Sequence, residues 1–212
     1  MELYSDYPCL TEEFLRKQVD AAIFDIGNVL IDFAWQDYMK SLDFDRVTYE
    51  HVADAMFRSE DWDQGDLGRI TTEEWLNLFI ENDPEYEDAI RRTFSGFGAS
   101  IIPYDFSEEW ISYFRKHGIK LYFLSNYSEE MYRQSKDRLS FLDGFDGGIF
   151  SWKEKCMKPD AKIYQLLLER YKINPKKALF FDDRRENVEA FEAFGVHGVI
   201  FHRDIPLQML QK

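Results

Sequence analysis

The chain contains two kinds of hydrophobic pattern. A short apolar run at residues 20–25 predicts a buried β-strand, and the next run of this kind lies at residues 119–124. Between these two runs, apolar residues recur at three-to-four spacing, which indicates amphipathic helices. We expect four of them, within WQDYMKSLDF, from Asp45 to about Arg58, from Thr71 and from Pro84.

After Pro103 the pattern changes to a regular alternation of helices and strands. The predicted elements are helices at 106–117, 128–139, 160–172 and 184–194, and strands at 119–124, 148–152, 177–181 and 197–201. Such alternation is typical of a doubly wound, Rossmann-like parallel sheet of the α/β class. We therefore expect an α/β core domain formed by residues 1–33 and 103–212, with an all-helical, four-helix cap domain inserted at residues 34–102.

Polar residues follow several of the predicted strands directly. Asp25 ends the run AAIF, Ser125 and Asn126 follow LYFL, and Asp182 and Asp183 follow ALFF. The carboxyl ends of parallel strands meet at one edge of a sheet, where ligands of this fold class bind. These side chains are therefore expected to lie close together, although an Asp or Ser at a strand end is also a common turn or helix-cap residue.

The acidic residues among them are suited to a metal ion. Asp25, Asp182 and Asp183 would repel one another, and a small hard cation such as Mg²⁺ relieves that repulsion through oxygen ligands. Asn187 lies one helical turn after Asp183, where it could orient this carboxylate or a metal-bound water. The alternative for the acidic pair is a helix N-cap followed by an acidic first turn.

The remaining polar residues are suited to a phosphate group. Ser125 and Asn126 offer a hydroxyl and backbone N–H groups near a helix start, and Lys158 offers a positive charge. Pro159 and a helix cap at Asp160 would fix the loop that holds this lysine. The alternatives are a plain helix cap for the first pair and a solvated loop lysine for Lys158.

Charge and cysteine content limit the possible partners and location. With 40 acidic and 26 basic residues, the net charge of -14 disfavours nucleic acid and anionic membrane surfaces. Cys9 and Cys156 are too few for a disulfide framework, and no apolar stretch resembles a signal peptide or a membrane span. We expect a cytoplasmic protein, a monomer or weak homodimer, whose partner is a small phosphorylated metabolite.

Four segments, FDIGNV, FLSN, KPDAKIY and FFDDRRENV, resemble the four motifs of the haloacid dehalogenase-like hydrolase superfamily from Asp20 to about His202. DIGNVLID and GDLGRITTEEW most resemble the branch that includes α-D-glucose-1-phosphatase. The resemblance implies an Mg²⁺-dependent phosphatase that forms an aspartyl-phosphate on Asp25. It further implies that Asp25, the Gly27 carbonyl and Asp183 hold the metal, with Asp182 beside them, and that Ser125, Asn126 and Lys158 bind phosphate.

One position departs from this family pattern. Phosphatases of the family usually carry a general acid two residues after the nucleophile, where this chain has Gly27. Glycine transfers no proton, and a positioned acid is worth about 10²–10⁴-fold in rate. A sugar 1-phosphate, whose anomeric oxygen is a good leaving group, would tolerate the loss. Two alternatives stay open, a metal-independent 2-haloacid dehalogenase and a non-catalytic protein that binds a phosphorylated ligand.

Overall fold

The computed structural model describes residues 3–211. Its strands are β1 (Ala21–Phe24), β2 (Ile31–Phe33), β3 (Ile101–Pro103), β4 (Lys120–Ser125), β5 (Gly147–Phe150), β6 (Ala178–Asp182) and β7 (His197–Ile200). Within residues 3–211, five of them form a parallel sheet in the order β5-β4-β1-β6-β7, and β2 pairs with β3 in a small antiparallel sheet. Strands β1 and β6 are buried along their whole length, as expected for parallel strands covered on both faces.

Helices connect and cover these strands. They are α1 (Leu3–Asp6), α2 (Glu12–Gln18), α3 (Trp35–Ser41), α4 (Arg46–Ala55), α5 (Trp62–Leu67), α6 (Thr72–Asn82), α7 (Glu87–Phe94), α8 (Ser107–Lys116), α9 (Glu129–Ser135), α10 (Ser151–Glu154), α11 (Ala161–Tyr171), α12 (Arg185–Glu192) and α13 (Asp204–Leu210). Short 3₁₀ segments occur at Pro8–Leu10, Pro84–Tyr86, Phe97–Ser100, Lys136–Gly144 and Pro175–Lys177.

The two faces of the parallel sheet have separate hydrophobic cores. Alternate residues of β1 point to opposite faces, so Phe24 packs with Trp110 of α8, whereas Ile23 lies in the cluster that contains Tyr164 of α11 and Phe191 of α12. The aromatic rings on each face stack or meet edge to face, which adds to the stability gained by burial. This arrangement confirms the predicted doubly wound α/β fold.

The helical insertion lies between β2 and β3. In the described chain it contains five α-helices, α3 to α7, one more than the sequence predicts. The additional helix is α5, in which Gly65 weakens the helical pattern; this glycine is needed because a Cβ there would lie 2.4 Å from the ring of Trp75. Helix α6 follows Thr71, as predicted, and begins with a capping box between Thr71 and Glu74. The domain boundaries at residues 34 and 102 stay a prediction.

Several elements differ from the pattern-based expectation. The helix expected at 128–139 ends at Ser135 and continues as a 3₁₀ segment, and the strand expected at 148–152 ends at Phe150, where α10 begins. Helices α1, α2 and α13 were not predicted, although α2 and α13 contribute to the core beside α8. Every helix in the described part of the chain is too short or too polar to cross a lipid bilayer.

Candidate active site

Asp25 lies directly after β1, at the carboxyl end of the central strand. Its backbone N–H donates to the carbonyl of Phe181 at 2.8 Å, which extends the pairing of β1 with β6 by one residue. Its Oδ1 atom accepts a hydrogen bond from the Ile26 N–H at 2.7 Å. Only 7% of Asp25 is exposed, and the residue lines a cavity of about 210 Å³ between the sheet edge and the helical insertion.

Lys158 is buried against two carboxylates. Its Nζ atom lies 3.0 Å from Oδ1 of Asp25 and 2.6 Å from Oδ2 of Asp182. The loop that carries it is locked to the end of β4 by two hydrogen bonds, from the Lys158 N–H to Oδ1 of Asn126 and from Nδ2 of Asn126 to the Lys158 carbonyl. Lys158 is therefore buried, and the alternative interpretation as a solvated loop lysine is wrong.

Burial and charge pairing set the protonation of this group. Burial alone would lower the pKa of Lys158, but Asp182 and Asp25 more than offset it, so its pKa lies above the ordinary value. Burial raises the pKa of Asp25 to about 7, with Lys158 opposing and the other two aspartates adding to the rise. A further cation near Asp25 would therefore favour its ionised form.

Asp25, Asp182 and Asp183 offer carboxylate oxygens that all lie within 4.8 Å of one another, a spacing that could hold a metal ion. Both oxygens of Asp182 are already hydrogen-bonded, Oδ2 to Lys158 and Oδ1 to the Arg184 N–H and Asn187 Nδ2. Burial and the neighbouring Asp182 raise the pKa of Asp183 above its ordinary value. Asn187 lines the same cavity, and its buried Oδ1 has no hydrogen-bond partner among residues 3–211.

The predicted phosphate-binding residues occupy different positions. Lys158 and Asn126 line the cavity, whereas Ser125 is buried at the end of β4 and is not among the described residues that line it. The side chain of Asn126 is occupied in holding the Lys158 loop. A phosphate-binding role for Ser125 and Asn126 stays a prediction.

A family model of haloacid dehalogenase-like hydrolases matches residues 19–195, a range that includes every side chain described above. The protein belongs to this hydrolase family.

Three curated proteins are similar in sequence to this hydrolase. It is 26% identical over 179 residues to the sesquiterpene phosphatase astK of Aspergillus oryzae, covering 84% of this chain and 88% of that protein. It is 28% identical over 189 residues to acyl-CoA dehydrogenase family member 10 of Mus musculus, covering 84% of this chain but 17% of the mouse protein. Over 70 residues, 32% of each chain, it is 37% identical to the phosphorylated carbohydrates phosphatase of Thermotoga maritima.

Solved structures share the fold. The HAD family enzyme bt-2542 of Bacteroides thetaiotaomicron, in complex with magnesium and inorganic phosphate, has a TM-score of 0.64 at 18% identity and covers 85% of this chain and 93% of its own. The L-2-haloacid dehalogenase of Xanthobacter autotrophicus has a TM-score of 0.61 at 17% identity, covering 88% and 80%. At these identities the likeness shows a common fold and no more.

Gly27, Asn28 and Asp66 also line this cavity. Gly27 lines the cavity, its φ lies outside the left-handed region, and a Cβ there would meet nothing within 4 Å. Asn28, at a φ of 55°, donates from Nδ2 to Oδ2 of Asp183 at 3.2 Å; the Gly-Asn dipeptide indicates a turn but does not predict this contact. Asp66 of α5 is buried at the cavity, and no local sequence signal identifies it because its burial depends on how the inserted helices pack.

Proposed function

We propose that this hydrolase is an Mg²⁺-dependent phosphatase that transfers the phosphoryl group of a small phosphomonoester to Asp25. The observation that supports this most strongly is the arrangement of the two Asp25 oxygens. Oδ1 is fixed by the Ile26 N–H and by Lys158, while Oδ2 has no hydrogen-bond partner among residues 3–211 and belongs to a side chain that lines the cavity. One oxygen is thus held in place and the other is available to attack phosphorus.

The neighbouring groups match the charge of a phosphoryl group. Lys158 places a buried ammonium beside the attacking carboxylate, so that the approach of a phosphate dianion to Asp25 is less unfavourable. Because the ammonium is also held by Asp182, it keeps this position before substrate binds. In the first step an oxygen of Asp25 attacks phosphorus and the alcohol leaves. In the second, water hydrolyses the aspartyl-phosphate and restores the carboxylate.

The donor set fits the expected cation. Asp25 and Asp183 would hold Mg²⁺ with the Gly27 carbonyl, and the unpartnered Oδ1 of Asn187 is an acceptor suited to a metal-bound water. When bound, Mg²⁺ would neutralise charge that develops on the transferring phosphoryl group. Asp183 is held towards the site by Asn28. In a metal-independent 2-haloacid dehalogenase, the Asp183 carboxylate would only repel the halide ion that leaves near Asp25.

The cavity favours a small substrate with some apolar surface. Part of its wall is apolar, lined by Ile31, Phe33, Trp62, Ile101 and Met131. Such a wall suits the hydrocarbon part of a prenyl phosphate, and the names of the similar phosphatases refer to a sesquiterpene and to carbohydrates. A sugar 1-phosphate remains the other candidate, because the missing acid at Gly27 favours a good leaving group.

The test is a phosphate-release screen of the purified protein with sugar 1-phosphates, prenyl phosphates, glycerol phosphates and nucleotides, each with Mg²⁺ and with EDTA. Halide release from 2-chloropropionate is measured in parallel. We expect Mg²⁺-dependent phosphate release that Asp25→Asn abolishes. Metal-independent halide release would support the dehalogenase instead, and binding of phosphorylated ligands without release of either product would support a non-catalytic protein.

A further inference from the structure

The cap side of the cavity contains an acidic residue that the proposed reaction has not used. Asp66 lies in α5 and is 9% exposed, and its side chain makes no hydrogen bond or ion pair within the described chain. Its carboxyl oxygens are not fully buried, so solvent still reaches the carboxyl. It borders the same cavity as Asp25 and Lys158, on the side of the inserted helices.

The position of Asp66 is fixed by contacts between the cap and the core. Its backbone carbonyl accepts a hydrogen bond of 2.6 Å from Oγ of Ser151, which itself accepts from the Tyr127 N–H at 2.9 Å. At the end of α5, the Gly68 carbonyl accepts from Lys155, and a Cβ at Gly68 would lie 2.6 Å from the Trp152 carbonyl oxygen. The helix that bears Asp66 is therefore tied to the strand-end loops that bear the phosphoryl-transfer residues.

We propose that Asp66 is the general acid of this enzyme and protonates the leaving oxygen. Gly27, at the position where the family usually has this acid, cannot do so. The inference rests on the proposed phosphatase function. When the bond between phosphorus and the leaving oxygen breaks, the bonding electron pair stays on the oxygen. This oxygen takes the proton of Asp66, and the product departs as the alcohol. The resulting Asp66 carboxylate then accepts a proton from the water that attacks the aspartyl-phosphate, and the carboxylic acid is restored.

The charges around Asp66 are consistent with a proton donor at neutral pH. Burial raises the pKa of Asp66 to about 8, and the negative charges of Asp63 and Asp25 add to the rise. Lys158 and Arg184 oppose it but do not cancel it. A carboxyl must retain its proton until the transition state in order to act as an acid, and burial is one way in which enzymes achieve this.

The test compares two substrates of similar size, p-nitrophenyl phosphate and benzyl phosphate. The first has a weakly basic leaving group that needs no proton, and the second releases a strongly basic alkoxide unless it is protonated. For Asp66→Asn we expect kcat/KM with benzyl phosphate to fall by about 10²-fold or more. With p-nitrophenyl phosphate, kcat/KM should stay within about threefold of the parent value. This constant reports the step in which the leaving group departs, and p-nitrophenolate departs without a proton.

Two further variants sharpen the comparison. Gly27 has room for a side chain. Adding Gly27→Asp to Asp66→Asn should therefore raise kcat/KM for benzyl phosphate at least about tenfold above that of Asp66→Asn alone. Asp88→Asn, which changes an exposed carboxylate of the cap, should leave both substrates unaffected. The alkaline fall of kcat/KM with benzyl phosphate should be present in the parent and absent from Asp66→Asn.

The outcomes separate the two proposals. Equal loss on both substrates would assign Asp66 a structural role, and full retention on both would place the acid elsewhere; either result overturns this inference and leaves the phosphatase function intact. No Mg²⁺-dependent phosphate release from the parent with any substrate would overturn the phosphatase function, and this inference with it. Thermal melting of each variant confirms that it is folded.

Discussion

Lys158 and Asp182 form a buried ion pair in which Nζ and Oδ2 lie 2.6 Å apart, and neither side chain is more than 1% exposed. The remaining oxygen of Asp182 is held by the Arg184 N–H and by Asn187. Its neighbour Asp183 is only partly buried and accepts a hydrogen bond from the side chain of Asn28. Adjacent aspartates therefore have different surroundings, and their substitution should have different effects.

We expect Asp183→Asn to weaken Mg²⁺ activation, because a free anionic ligand is replaced by a neutral one. The Mg²⁺ concentration for half-maximal phosphate release should rise by at least about tenfold, with little change in unfolding free energy. Asp182→Asn should instead lower that free energy, because Lys158 loses its closest partner. Phosphate release as a function of Mg²⁺ concentration and unfolding as a function of urea concentration are measured for both variants. Equal shifts of Mg²⁺ affinity would mean that Asp182 is itself a metal ligand.

The second prediction concerns the cost of removing Lys158. In Lys158→Ala, Asp25 and Asp182 lose the cation that holds them, and breaking a buried pair in this way costs about 3–5 kcal/mol of unfolding free energy. The loss should shrink at acid pH, where protonation of the carboxyls removes their repulsion. Lys177→Ala breaks an exposed pair with Asp20 and should cost less than about 1 kcal/mol. Comparable losses in the two variants would contradict the structural role of Lys158.

The third prediction tests the nucleophile. Asp25→Asn keeps the shape of the side chain but not its nucleophilicity, so phosphate release should fall at least about 10³-fold. Acid quenching of the parent during turnover should trap a phosphorylated peptide that contains Asp25, and the variant should give none. Folding should persist, because the substitution removes a buried negative charge close to two others. Turnover within tenfold of the parent would place the nucleophile elsewhere.

The sequence predicts that several of the candidate site residues lie close together, because their placement follows local signals. Asp25 comes directly after a buried apolar run, and Asn126 and Asp183 come second after such runs; parallel pairing brings the ends of these runs together. Lys158 is different, since its burial arises from contacts of its side chain with Asp25 and Asp182 and of its backbone with Asn126. Pro159, Asp160 and the family resemblance point to this residue, but they do not predict whether its side chain is buried or solvated.

The remaining features depend on contacts between distant parts of the chain. Strands β2 and β3 contain three residues each and pair across about 70 residues of chain, so no local periodicity marks them. Helix α5 is short and contains Gly65, and its position follows from packing against Trp75. Asp66 therefore looks in the sequence like one of many solvated acidic residues, and only the packed cap places it at the cavity.

The fourth prediction concerns Ser151, which joins α5 to the loop after β4. Ser151→Ala removes the hydrogen bond to the Asp66 carbonyl and leaves the buried Tyr127 N–H without its acceptor. The unfolding free energy should fall by about 1–3 kcal/mol. Because α5 is less firmly held, hydrolysis of benzyl phosphate should fall more than that of p-nitrophenyl phosphate. Urea denaturation and the ratio of the two kcat/KM values measure this; an unchanged ratio would show that Ser151 does not position Asp66.

The last prediction is a change in the pH dependence of stability. Asp66 has an ordinary pKa of 3.8 when unfolded and a raised pKa of about 8 when folded. Between these values the native state binds the extra proton, so this residue's contribution to unfolding free energy falls as pH rises, by about 1.4 kcal/mol per unit. Asp66→Asn removes this dependence. In EDTA, its stability relative to the parent should therefore increase from pH 5 to pH 8, by at most about 4 kcal/mol. Urea denaturation of both proteins across this range provides the measurement. A constant difference would show that Asp66 is ionised in the native protein at pH 5, and it could not then serve as the proton donor.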